Sequence, residues 1–478
     1  MIPIVTPDEM AAIDAAATEP VEVLIERAGA AIARHAIALL GGGYGRSVAV
    51  VEGRGNNGND GKAAARRLRA RGARVIEIEA SSAPAQLPAV DLVIDAAYGT
   101  GLKRPYDAPS LCATSRSGDN PPSVTSRSGD NPPSVTPLVL AVDIPSGIDG
   151  ATGELRGRPM CADLTVTFAA LKPGLLFQPA RSLCGEIAIA DIGLDVSRAR
   201  AHLVEAGDVA VAVPPRDPAT HKWRRATWVI GGSPGMTGAP QLAAMGAARA
   251  GAGYVRISVP GDEQTAGLLP IEAVQVALGP DLAVDPNEVA RVQSMIIGPG
   301  LGRETSLTAA VRRAVATLDV ALVVDGDALV ALGEQVSDVV RGRRQPTVLT
   351  PHDGEYRALM GHAPGADRIE AARALARRCG AVVLLKGPTT VVADEDGLAL
   401  VVLGGDARLA TAGTGDVLSG IIGALLAQGV DARTAAGIGA YVHGVAAMTC
   451  APFGMIAGDV AHALPSVMSR LLGESSGA

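Results

Sequence analysis

The sequence predicts an α/β protein built as two three-layer α/β/α domains, and three observations carry that reading. At 478 residues the chain exceeds what one ordinary hydrophobic core holds, so two domains of about 200 residues each are expected. Short β-branched runs alternate with helical patterns in both halves, as in parallel sheets with crossover helices. Hydrophobic residues reach 48% with 58 glycines and only 2% aromatics, a compact composition rather than a disordered one.

In the first half the strand candidates are SVAVVEG, ARVIEIEA, VDLVIDAA, PLVLAVDI, DLTVTFAA and EIAIADIG. In the second they are ATWVIGG, YVRISVP, MIIGPG, VALVVDGD, PTVLTPH, AVVLLKG and TTVVAD. Between the two sets, VAVAVPPRDPATHKWRR collects Pro, Thr and charge where hydrophobic periodicity lapses. That places a first domain at residues 1–208, a linker at 209–225 and a second domain at 226–478. An exact tandem copy of TSRSGDNPPSV at 114–124 and 125–135 has no apolar face and predicts an exposed loop without catalytic role.

Forty-two basic against 49 acidic side chains give a net charge of −7. With so few aromatic platforms this argues against nucleic-acid binding and for small-molecule chemistry. Five scattered cysteines without a CxxC read as small buried hydrophobes of a reducing cytoplasm. MIPIVTPDEM lacks a basic start and an apolar core, so no secretory signal is expected. The long uncharged stretch 434–458 is broken by Gly, His443 and Pro452 and reads as a buried helix rather than a membrane span.

The chemistry concentrates where strands end in glycine. TAGTGDVLSG (411–420) sets Gly-permitted backbone at a helix N-terminus, where unpaired amides and the dipole favour an anion. Asp416 there is either a capping acid or, beside a phosphoryl group, the base for an attacking hydroxyl. LLKGPTT (384–390), GPGLGR (298–303) and TPHDGE (350–355) end further strands, the side on which open α/β sheets bind ligands. His352 is either a substrate contact or a loop histidine satisfied by backbone.

In the first half GRGNNGNDG (53–61) follows a strand and opens a helix, with amide and carboxylate oxygens that suit a hard cation as well as a ribose. DAAYGTGLKRPY (95–106) and AVDIPSGIDG (141–150) close two more strands. Asp95 and Asp143 are candidate functional acids or plain turn residues.

GTGDVLSG, LLKGPTT, TPHDGE, VVDGDAL and GGSPGMTGAPQLAAMGAARAGAG, in that set, resemble the ribokinase-like fold in its NAD(P)H-hydrate dehydratase branch, from about His221 onward. NNGND, GTGLKR, DIPSG and TFAALKPGL resemble the NAD(P)H-hydrate epimerase domain, Rossmann-like, over residues 1 to about 205. The resemblance implies a bifunctional repair enzyme that epimerises hydrated NADH and NADPH and dehydrates one epimer with ADP as co-substrate. It departs from the family at THKWRRATW, where small, Gly-containing sequence usually follows His-Lys.

In the dehydratase half the resemblance implies Asp416 as catalytic base, with Ala239, Gly302 and His352 also contacting the hydrate. Lys386, Gly387, Pro388, Thr389, Thr390 and Gly415 would hold the nucleotide, and the amides around Gly413, Thr414 and Gly415 the moving phosphoryl. In the epimerase half it implies Asp143 as acid/base. Asn56, Asn57, Gly58, Asn59 and Asp60, with Gly99, Thr100, Gly101, Leu102, Lys103, Arg104 and Pro105, would bind the hydrated cofactor. Asn57, Asp95 and Ser146 would ligate a potassium ion. Magnesium as a further ion, a homo-oligomer and a cytoplasmic location without membrane or nucleic-acid partners complete the expectation. The alternative is a small-molecule kinase of a vitamin or sugar alcohol with a non-catalytic first half.

Overall fold

A computed structural model describes residues 1–112, 114–115, 134–261 and 270–473. Most of the duplicated TSRSGDNPPSV segment, residues 116–133, lies outside the described residues, so the exposed-loop expectation is not addressed. The chain divides into two compact units, Pro3–Ala199 and Met1–Ile2 with Arg200–Ala478. The division therefore precedes the expected 209–225 linker. The beginning of that stretch is instead the helix Ala206–Ala212, whose Val209 is fully buried in the second unit's core. Its apolar spacing had been masked in the sequence by the Pro-rich run that follows.

In the first unit six parallel strands run in the order Glu186–Ala190, Leu164–Phe168, Leu138–Val142, Leu92–Ala96, Ser47–Glu52, Arg74–Glu79. All six occur where the β-branched runs predicted them. Burial on both faces explains the near-continuous hydrophobicity of the four inner strands, whereas the edge strands Arg74–Glu79 and Glu186–Ala190 are partly exposed. Val48 and Val50 pack with Ala28, Ile32, Ala64 and Leu68 of the helices Val21–Leu40 and Asn56–Ala70. Ala49 and Val51 pack on the other side with Leu87, Val90 and Met160 of connecting segments. Because Ser47–Glu52 is followed by a strand on one side and then by Leu92–Ala96 on the other, a crevice opens at the C-terminal ends of these two.

The second unit holds ten strands of one sheet among the described residues. Its central strands are Tyr254–Ser258, Ala226–Ile230, Ser294–Ile297, Ala321–Val324, Thr347–Leu349 and Val382–Leu385, mutually parallel. Thr390–Ala393 corrects the all-parallel expectation: it runs antiparallel to both Val382–Leu385 and Ala399–Val402. The four-residue turn Lys386–Thr389 leaves no length for a crossover helix, so the chain must fold back as a hairpin. Trp223, in the short turn Lys222–Arg225, stacks on Tyr254 with ring centroids 4.2 Å apart, and the first central strand starts at Ala226 despite the bulky entry. The apolar stretch 434–458 is not one helix but nearly all of Ala432–Thr449 and the start of Ala457–Gly473. None of the described helices is long and apolar enough to cross a membrane.

The helix Thr414–Ala427 is buried along nearly its whole length and lies against Gly238–Arg249. The approach is close enough to need glycine: a Cβ on Gly420 would fall 2.1 Å from the Ala243 carbonyl oxygen, and one on Gly246 2.5 Å from that of Val417. Gly420→Ala is expected to destabilise this unit by ~1–3 kcal/mol, read as a lowered urea midpoint.

Candidate active sites in the two units

In the first unit the polypeptide leaves Glu52 through Gly53 and enters the helix Asn56–Ala70 directly. A Cβ on Gly58 would lie 1.9 Å from the Gly53 carbonyl oxygen, so only glycine lets the first turn rest on the strand end. Gly55 at the N-cap brings no side-chain bond, which leaves first-turn amides directed outward. A cavity of about 820 Å³ opens there, lined by Asn56, Asn57, Asp60, Gly99, Thr100, Gly101, Leu102, Lys103, Arg104 and Asp143 among the expected residues. Gly58, Asn59 and Pro105 do not line it. Asp95 and Ser146 lie fully buried outside its lining.

Asp143 follows the strand Leu138–Val142 with φ of +65°, a left-handed conformation rare for a residue with a side chain. Its Oδ1 accepts from Lys172 Nζ at 2.6 Å, Thr167 Oγ1 at 3.0 Å and the Phe168 amide at 3.4 Å. Lys172 is 1% exposed and also donates to Thr167 Oγ1 and the Phe168 carbonyl. Its three N–H bonds are thereby used, and Oδ2 is the Asp143 oxygen available to the cavity. Sequence reasoning quoted TFAALKPGL but gave Lys172 no role; a lysine immediately after an apolar run was the available signal.

Burial, reinforced by the charges of Asp143 and Asp14, pushes the Asp60 carboxyl up to about 8. Asp14 is itself raised, by burial first, with Lys172 opposing. The cavity thus holds an acid that keeps its proton at neutral pH beside a carboxylate tied to a lysine, a pairing suited to proton exchange.

Asp95 ends the strand Leu92–Ala96 and is 0% exposed. Ser146 donates to it through its hydroxyl (2.6 Å) and its amide (2.8 Å), and burial still raises its pKa. Among the described residues no cationic side chain is bonded to it. The Asn57 amide nitrogen is buried without a partner. Asp95 and Ser146 offer hard oxygens of the kind a monovalent cation takes. No cluster of three His, Cys, Asp or Glu suited to a transition metal occurs among the described residues.

In the second unit Gly413 caps Thr414–Ala427 at φ of +88°, with no side-chain cap. The Thr414 hydroxyl instead turns back to the Leu409 and Thr411 carbonyls. The Thr414 amide donates to the Thr411 carbonyl at 3.3 Å, and the Gly415 and Asp416 amides that follow remain open to an anion. Gly413 approaches Leu242, one turn beyond the start of Gly238–Arg249, and the loop after Ile297 meets Ala239 through Gly300. Gly302, at φ of +83°, donates its amide to Asp327, which also holds Arg303.

Burial, then the negative charge of Asp325, pushes Asp416 up to about 7, against the pull of Lys386. A base of that pKa is half-ionised near neutral pH, where it combines availability with strength. Lys386 Nζ lies 2.6 Å from Asp325 Oδ1, so its ammonium points toward the Asp416 helix. Thr390 already belongs to the antiparallel strand. His352 caps the helix Asp353–Met360: its Nδ1 accepts from the Gly354 and Glu355 amides. The backbone-satisfied reading thus accounts for one nitrogen, and Nε2 stands 3.4 Å from Glu355. Asp325, Thr350 and Ser419 were not singled out in the sequence, because nothing local distinguishes them from strand-end and helix polar residues.

Fold and sites together define a two-domain α/β enzyme with an anion-binding helix terminus and an adjacent base in the second domain and a carboxylate-lined cavity in the first. Residues 227–466 match the family model described as NAD(P)H-hydrate dehydratase, and residues 21–86 and 75–174 that of the YjeF-related protein N-terminus. The chain is 39% identical over 431 residues to the bifunctional NAD(P)H-hydrate repair enzyme of Mycobacterium tuberculosis (strain CDC 1551 / Oshkosh), covering 85% of this chain and 84% of that one. The corresponding protein of Moorella thermoacetica is 35% identical, covering 98% and 97%. The second unit is also similar to the ADP/ATP-dependent NAD(P)H-hydrate dehydratase of Bacillus subtilis, at 29% identity and a TM-score of 0.48 over 56% of this chain and 97% of that one. The chain belongs to the bifunctional NAD(P)H-hydrate repair enzyme family.

Asp60 gives a stability prediction. Because its folded pKa is raised, its contribution is complete below about 4 and is lost as pH rises toward about 8. Asp60→Asn is therefore expected to stabilise the first unit at pH 8 relative to wild type, and not at pH 4, in urea titrations followed at both values.

Proposed function

We propose that the protein repairs hydrated NADH and NADPH in two steps, interconverting the R and S epimers in the first domain and dehydrating the S epimer in the second. The observation that carries the reading is Asp416, held near neutral pKa in the first turn of an uncapped helix. Hydroxide is a poor leaving group. Asp416 takes the ring hydroxyl's proton as that oxygen attacks the terminal phosphorus of ADP, and AMP departs. The amides of Gly413 to Gly415 hold the transferring group, and residues 386–390 hold the nucleotide. The ring nitrogen's lone pair then expels phosphate, and loss of the neighbouring ring proton restores the reduced nicotinamide. Ala239, Gly302 and His352 would hold the hydrate, and magnesium would accompany the nucleotide's phosphates.

In the first domain the hydrated carbon is a hemiaminal, so breaking and remaking its bond to oxygen requires a proton donor and an acceptor. Asp143, fixed by Lys172, serves there. Asn57, Asp95 and Ser146 would hold potassium, which supplies the positive charge that Asp95 otherwise lacks. The same reading makes the protein a cytoplasmic homo-oligomer. Full-length relatives carry both domains together, which does not favour an alcohol kinase with an inert first half.

The deciding experiment supplies each epimer separately with ADP and follows return of reduced-nicotinamide absorbance. The S epimer should be restored directly and the R epimer only while the first domain is active. Asp143→Asn should abolish repair of the R epimer alone. No absorbance recovery from either epimer by the folded protein would refute the reading. Asp416→Asn is expected to lower dehydration by ~10²–10⁴-fold with ADP still bound by calorimetry. In wild type the dehydration rate should rise with pH through about 7 as Asp416 loses its proton.

A further inference from the structure

Asp325 follows the strand Ala321–Val324 and is 2% exposed. Its Oδ1 accepts from Lys386 Nζ at 2.6 Å and from Thr350 Oγ1 at 2.7 Å, and its Oδ2 from Ser419 Oγ at 2.6 Å. Thr350 and Lys386 follow the next two strands of the sheet, Thr347–Leu349 and Val382–Leu385, and Ser419 lies one turn into the helix that begins with Thr414, Gly415 and Asp416. One carboxylate thus ties three successive strand ends to the helix bearing the anion site and the base. Lys386 Nζ lies 3.6 Å from where a Cβ on Gly415 would stand.

A lysine ammonium is a compact charge on a flexible four-carbon stem, and its position is set by whatever holds it. Here both oxygens of Asp325 are engaged, so it does not compete with Asp416 for a substrate proton. We propose that Asp325 is a positioning residue for phosphoryl transfer, holding the Lys386 ammonium beside the Gly413–Gly415 amides and, through Ser419, holding the Asp416 helix in register. The inference rests on the proposed dehydratase reading. A fixed cation at the place where negative charge develops requires no reorganisation during reaction, which is the most effective form of electrostatic stabilisation.

The charges facing Asp416 are Asp325, Lys386, Glu355 and Asp327. Asp327 is itself paired with Arg303, and the buried His443, lowered to about 4 chiefly by burial, contributes no charge at neutral pH. Removing the Asp325 charge leaves Lys386 less compensated, and both changes favour ionised Asp416. Asp325→Asn keeps size and hydrogen-bonding capacity, and is expected to lower kcat for dehydration of the S epimer ~100-fold with KM changed less than about 2-fold. The acid limb of its pH profile should move to lower pH, which loss of structure alone would not produce. Asp325→Asn combined with Lys386→Met should be no slower than Lys386→Met alone, because residues acting as a unit are not additive.

A wild-type kcat in Asp325→Asn, an unmoved acid limb, or multiplicative losses in the double variant would overturn the proposal. Should Asp325→Asn fail to fold by its urea profile, Ser419→Ala serves: it is expected to lower kcat ~10-fold with ADP affinity retained, and an unchanged kcat overturns the inference. A wild-type protein that repairs neither epimer would instead refute the dehydratase reading, so the two failures are distinguishable.

Discussion

A carboxylate buried at the end of a parallel strand must find a counter-charge, and both units are organised around that requirement. Asp325 and Asp95 occupy equivalent kinds of place, just past or at the end of a central strand and sealed from solvent. Asp325 finds Lys386, supplied from the end of the second strand along the sheet, and its carboxyl is held below the usual range: burial pushes up, but the ammonium and three hydrogen bonds prevail. Asp95 finds only a hydroxyl and amides, and burial prevails over them. The same physics therefore yields a closed ion pair in one unit and, in the other, a buried carboxyl without a cationic partner among the described residues.

Backbone geometry supplies the second common element. In each unit a glycine stands at the N-cap of a helix and brings it no side-chain bond. A capping side chain would satisfy the helix and consume the amides that an anion needs. Glycine at 413 and 55 leaves them open. The tight approaches at Gly58 and Gly420 have a related purpose, seating these helices directly on the sheet or on a neighbouring helix so that their first turns cannot drift.

The two candidate acid/base residues differ in how they are held. Asp143 has one oxygen saturated by Lys172, Thr167 and backbone, in a strained left-handed conformation that only surrounding structure can maintain. Asp416 is pushed up to about 7 first by burial and then by the like charge of Asp325, tempered by the Lys386 ammonium. An epimerisation needs donor and acceptor together, and Asp60 provides a protonated neighbour for the first. A phosphoryl transfer needs a single base near its working pH, which the second provides.

The strands, the glycine turns and the Asp416 helix terminus were legible in the sequence because each is a local consequence of residue order: alternation, left-handed glycine, an apolar helical run. The unit boundary was misread because the helix Ala206–Ala212 belongs to a core assembled from distant residues, and the antiparallel Thr390–Ala393 because period-two alternation carries no direction. What the sequence by itself determined was which elements form and where glycine opens a helix to an anion. Only the tertiary structure decided that Lys386, Thr350 and Ser419 converge on Asp325, and Lys172 on Asp143, because electrostatic partnership depends on distance in space and these residues lie 25 to 94 apart in the chain.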